Sequence, residues 1–177
     1  MKKLEQFNPE QIGIVNDGVA MVEELVSNFY KMSANQWSAM GGYDIKTLVD
    51  LLPEEIVDKP FAQILRYEGR RKDTFLGSSI YDFYKICLQD HTILSVLRQS
   101  TGLKLSPFIL YIVTHELVHI VRFCKFLQSF DALPEEKMAE ETRVHKKTRE
   151  ILKPVPVSGI ADVFRFYDNW CKSFDEW

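Results

Sequence analysis

In "VTHELVHIVRF", residues 113–123, two histidines stand four apart and a glutamate directly follows the first. On an α-helix, residues i and i+4 project from one face about 6 Å apart along the axis, so the imidazoles of His115 and His119 can reach one metal ion. Glu116 is turned about 100° from His115, which sets its carboxylate beside such an ion, where it can take a proton from a water. Two ligands and an adjacent base are what a hydrolytic zinc site asks of one helix. The competing reading is a core helix in which both imidazoles bond to carbonyls and Glu116 reaches solvent or Arg122. The surrounding residues are apolar, and burying such groups unpaired costs a few kcal/mol each. Something has to satisfy them.

A tetrahedral ion that keeps one position for water needs a third protein ligand. In "EEKMAEETRVHKKTREIL", which follows Pro134, Met138, Glu141, His145, Thr148 and Leu152 recur at 3-4-3-4 spacing, so this stripe is expected to turn inward. Glu141 is the expected third ligand of one zinc ion. Glu140 exchanges with it on a modest rotation of the helix. His145, four residues after Glu141, ligates as well or orients one of the first-helix histidines. If His145 ligates, four protein groups close the site and the protein binds metal without hydrolysing anything. A di-iron bundle needs Glu-x-x-His pairs on two helices; Glu116 and His119 make one, and the chain has no second. The last alternative is a metal-free helical interaction domain. Hydrolysis of peptide bonds through a metal-activated water, with Glu116 as general base, is the leading expectation.

"HELVH" followed after twenty or twenty-one residues by a glutamate in a second helix resembles the gluzincin branch of zinc metallopeptidases. It is most similar to compact members such as the peptidase domain that accompanies phage-type repressor regulators. The resemblance spans residues 81–152. It implies zinc on His115, His119 and Glu141 or Glu140, Glu116 as base, and a small antiparallel sheet whose edge strand aligns a peptide or protein substrate. Gluzincins also use a Tyr or His to stabilise the oxyanion, and Tyr167 is a candidate. The longer metzincin motif requires Gly at 122 and His at 125; Arg122 and Lys125 rule it out.

These residues need elements to hold them. Ser106-Pro107 predicts the start of an apolar active-site helix over 107–130, and Pro134 opens the metal-completing helix over 134–152, acidic first and basic last as the helix dipole prefers. Asn8-Pro9, with Ile12, Val15, Val19, Val22, Val26 and Phe29 at helical spacing, predicts a long first helix. Asp44 is expected to cap a shorter one carrying Ile45, Leu48, Val49 and Leu52, so that N-terminal helices occupy 9–52. "FAQILRY" and "TFLGSSI" read as a hairpin and "YDFYKICLQD" as a third strand, giving a small antiparallel sheet around 61–89; the alternative for 80–90 is a helix, with Ser79 and Asp82 as a capping-box-like start and Ile80, Phe83, Tyr84, Cys87, His91 and Leu94 on one face. "TILSVLRQS" is helical up to Thr101-Gly102, and a C-terminal helix is expected over 158–174 behind Ser158. The fold class is α+β, mainly α and zincin-like, in a single domain over 1–177.

Composition agrees with a globular protein: 46% hydrophobic and 27% charged residues in 177. A net charge of −3 provides no footprint for phosphate backbones, so nucleic acid is not an expected partner. The run Arg70, Arg71, Lys72 reads as a solvated turn. Cys87, Cys124 and Cys171 are odd in number and widely spaced, which fits reduced thiols in a cytoplasmic protein. The most apolar run, "PFILYIV", is far shorter than the ~20 residues of a membrane span, and no signal segment follows the N-terminal lysines.

Overall fold

The computed structural model describes residues 3–40, 42–70 and 80–174. The first helix, α1 (Pro9–Phe29), begins at Asn8, whose side chain accepts from Gln11 N while the Gln11 side chain accepts from Asn8 N. These reciprocal bonds satisfy two donors that a helix start leaves open. Val15, Gly18, Val22 and Val26 are its buried stripe. Gly18 is there because α4 comes close: a Cβ on it would lie 3.0 Å from Ile109 Cγ2. A short helix, α2 (Ala34–Ala39), follows.

Residues 44–52 are not the helix expected from Asp44. Tyr43–Lys46 form a strand, β1, followed by single 3-10 turns at Leu48–Asp50 and Pro53–Glu55. The backbone of β1 pairs in parallel with β3 (Ile80–Leu88), placing Ile45 opposite Ile86. That ladder, and a core into which Leu48 packs, outweigh a weak local capping signal. Strand β2 (Ala62–Arg70) pairs antiparallel with β3, with Ile64 opposite Ile86 and Ala62 opposite Leu88. The sheet order is therefore β1-β3-β2, and the sheet is mixed where a purely antiparallel one was expected. The hairpin partner of β2 is the 80–88 segment; "TFLGSSI", expected in that role, lies almost wholly outside the described residues, as do Arg71 and Lys72.

One sheet face carries Ala62, Tyr84, Ile86 and Leu88 into the core. Across the other, buried Glu55 accepts from Lys85 Nζ at 2.6 Å, Tyr67 Oη at 2.8 Å and Leu52 N at 2.9 Å. These donors outweigh the desolvation of the carboxyl and lower its pKa. Helix α3 (Asp90–Gln99) opens on buried Asp90, whose carboxylate accepts from Phe7 N at 2.9 Å and Leu48 N at 3.0 Å. It ties three segments together at one point.

The centre of the molecule is α4 (Leu105–Cys124), which packs against α1, α5 (Pro134–Leu152), α6 (Ile160–Phe174) and β2. It is the one helix among the described residues long and apolar enough to cross a membrane, and most of it is buried inside the protein. It ends at Cys124, short of 130. Phe126 takes a left-handed backbone (φ +56°), Leu127 N donates to Arg122 O at 2.9 Å and Phe126 N to Phe123 O at 3.1 Å. Those two bonds close the helix in a Schellman turn. Helix α6 starts after Gly159 (φ +88°), two residues later than Ser158 suggested. Phe166, Tyr167 and Trp170 of α6 pack on Phe61, with centroids 4.9–6.3 Å apart, and Phe166 and Tyr167 also meet Phe108. Cys87 and Cys124 are free thiols.

Candidate metal centre

Every residue of α4 from Pro107 to Arg122 is buried except Glu116. The exception opens into a cleft of about 440 Å³ that is also lined by His115, His119, Glu141 and His145. The cleft lies where α4, α5, α6 and the start of β2 meet, with Phe61, Phe130 and Trp170 among its apolar walls. Tyr111, His115, His119 and Phe123 descend one face of α4 at four-residue steps.

Helix α5 settles which glutamate reaches that face. Its innermost residues are Glu140, Val144, Thr148, Ile151 and Leu152, so the inward stripe is turned by about one residue from the expected one. Met138, expected inside, is 69% exposed. Glu140 lies beneath the helix, bound in both oxygens by Arg122: Nε to Oε2 at 2.8 Å and Nη2 to Oε1 at 2.9 Å, with Arg143 adding a further contact. Burial of Glu140 is more than offset by these guanidiniums, which hold its carboxyl below the usual range. Glu140 is therefore a structural ion-pair partner. Glu141 and His145 sit on the shoulder of α5 and face the cleft.

Three side chains then meet. His115 Nε2 and His119 Nε2 are 3.1 Å apart; Glu141 Oε2 is 3.1 Å from the first and Oε1 is 2.9 Å from the second. A tetrahedral ion with bonds of 2.0–2.1 Å spaces its ligand atoms about 3.3 Å apart. The two imidazole nitrogens are already near that spacing, and the Glu141 carboxylate presents one oxygen to each of them. His145 Nε2 stands further off, 3.9 Å from Glu141 Oε2, while its Nδ1 is hydrogen-bonded to the Tyr111 hydroxyl at 2.8 Å. His115, Glu141 and His145 also offer donor atoms within 4.8 Å of one another. The fourth histidine, His91, bonds the Val57 carbonyl and takes no part.

The second nitrogen of His119 is fixed by Gln128, whose Oε1 accepts from Nδ1 at 3.0 Å. Nothing in the sequence pattern pointed to Gln128, which comes from the loop after α4. Tyr111 carried a readable signal, because it is four residues before His115 on the histidine face. Tyr167, the oxyanion candidate, is buried on the cleft wall, stacked on Tyr111 at 3.9 Å between centroids and 5.5 Å from the His145 ring.

The charges follow this geometry. Desolvation alone would raise the pKa of Glu141, but hydrogen bonds from His115 and His119 prevail and hold it well below the carboxylate range. His119 is shifted the other way: burial opposes its charge, and Glu141 and Glu116 more than restore it. Burial and the neighbouring His115 push His145 down to about 4. Desolvation by the cleft walls around the half-buried Glu116 raises its pKa, with His115 and His119 partly opposing. Compared with protein-family models, with curated proteins and with solved structures, the chain matches none.

Proposed function

We propose that this protein is a zinc-dependent peptidase in which His115, His119 and Glu141 hold the metal and Glu116 is the general base. The observation that carries this reading is the meeting of His115 Nε2, His119 Nε2 and the two oxygens of the Glu141 carboxylate, 2.9–3.1 Å apart at each contact, at the floor of an open cleft. Two imidazoles and a carboxylate, with no thiolate, are a donor set used by hydrolytic zinc sites that keep a position for water. A zinc ion bound there supplies Lewis acidity, acidifying a water and polarising a carbonyl. Glu116, the one residue of the Pro107–Arg122 stretch that is not buried, opens into the cleft and is placed to take the proton from the attacking water and pass it to the departing amine.

Strand β2 supports a peptide as substrate. It is an edge of the sheet, and Ala62, Gln63 and Ile64 at its start line the cleft together with Phe61 just before it. An extended chain can add to such an edge through main-chain hydrogen bonds. The likeness to compact gluzincins rests on the HELVH motif, the α5 glutamate and this adjacent edge.

A second reading, a metal site closed by His145, is favoured by the grouping of His115, Glu141 and His145 donors within 4.8 Å. Cobalt substitution separates the two: an absorption spectrum unaffected by His145→Ala leaves His145 outside the ligand set. The test of catalysis is Glu116→Gln with a peptide library. Loss of about 10³-fold in cleavage with metal retained is expected; unchanged cleavage contradicts the role given to Glu116.

A further inference from the structure

We propose that Gln128 is a positioning residue that fixes the tautomer of His119 and so aims its Nε2 lone pair at the metal position. This rests on the metal reading above and goes beyond it, because Gln128 belongs to neither ligand helix. A neutral imidazole carries one proton, and whichever nitrogen has it cannot ligate. Gln128 Oε1, 3.0 Å from His119 Nδ1, can only accept, so Nδ1 keeps its proton; Nε2, which faces Glu141 and His115 Nε2, is then the nitrogen left to give up its proton to a metal at that position. A carbonyl or carboxylate behind a ligating histidine is worth 10–100-fold in metal affinity. His115 has no equivalent support: its Nδ1 is buried and without a hydrogen-bond partner among the described residues.

The loop is built to deliver that oxygen. The Schellman turn at Cys124–Leu127 reverses the chain at the end of α4, so Gln128 returns beside a helix turn nine residues back in the sequence. Arg122 braces it: its Nη2 donates to Leu127 O at 3.4 Å while both oxygens of buried Glu140 hold the guanidinium. The ion pair that removes Glu140 from the ligand set thereby supports the loop that orients a ligand.

The test measures zinc affinity by chelator competition in wild type, Gln128→Leu, Gln128→Glu and His115→Ala. In the metal-free proteins, ¹⁵N shifts of His119 are read at a pH where the ring is neutral. Gln128→Leu is expected to weaken zinc 10–100-fold and to shift His119 toward the Nε2–H tautomer, with little change in the Tm of the metal-free protein. Gln128→Glu, which still offers an oxygen, is expected to recover wild-type affinity. Zinc bound by Gln128→Leu as tightly as by wild type, while His115→Ala loses it, overturns the role of Gln128 alone. Wild type and His115→Ala binding zinc alike, or neither binding it, overturns the metal reading and this proposal with it.

Discussion

Glu140 and Glu141 are adjacent in sequence and opposite in consequence. Glu140→Ala leaves Arg122 buried without its partner, which should cost about 3 kcal/mol or more in urea unfolding. Glu141 is 52% exposed, so Glu141→Ala should cost less stability than Glu140→Ala and abolish tight zinc binding in a titration. The reverse pattern would assign the ligand to Glu140. His145 gives a pH signature in the metal-free protein. Its folded pKa of about 4 is below the ordinary 6.5, so between those values the unfolded chain binds a proton that the folded one does not. Its contribution to stability is present above 6.5 and is lost as pH falls toward 4. His145→Gln should flatten that part of a stability profile; an unchanged slope would place the titration elsewhere. The histidine spacing made the first two candidate ligands legible in the sequence, whereas Glu140 and Glu141 were separable only through Arg122, a contact across eighteen residues.

At the scale of elements, α1 and α5 were legible because periodic apolar residues coincide with Pro9 and Pro134 at their starts. Strand β1 was not, since four residues are too few to show alternation and its partner lies about forty residues on. The end of α4 was overextended because Phe126 continues the apolar pattern while its backbone has already turned left-handed. An L side chain in that conformation costs about 1–2 kcal/mol, and the extra freedom of glycine in the unfolded chain returns part of it. Phe126 is 95% exposed and loses almost no packing on truncation. Phe126→Gly should therefore raise the urea midpoint, by up to ~1 kcal/mol in stability; a lower midpoint would mean the phenyl ring contributes contacts that its exposure conceals. Gly18→Ala should do the opposite, because its Cβ meets Ile109 at 3.0 Å in the α1–α4 contact.

For the whole molecule, the candidate site lies where α4, α5, α6 and the edge of the sheet come together, and an ion on His115, His119 and Glu141 would tie α4 to α5 in the folded state alone. Free zinc at 100 times its Kd should stabilise by ~2.7 kcal/mol, which for a chain of this size is a rise in Tm of roughly 5–10 °C. Chelation should reverse it, and no response to either would disconnect metal from folding. The measurement closest to the central claim is the metal content of protein purified without added zinc. One zinc ion per chain in wild type, lost in both His115→Ala and Glu141→Ala, is the result expected. Wild-type protein that carries no transition metal and takes up none on titration would contradict the claim.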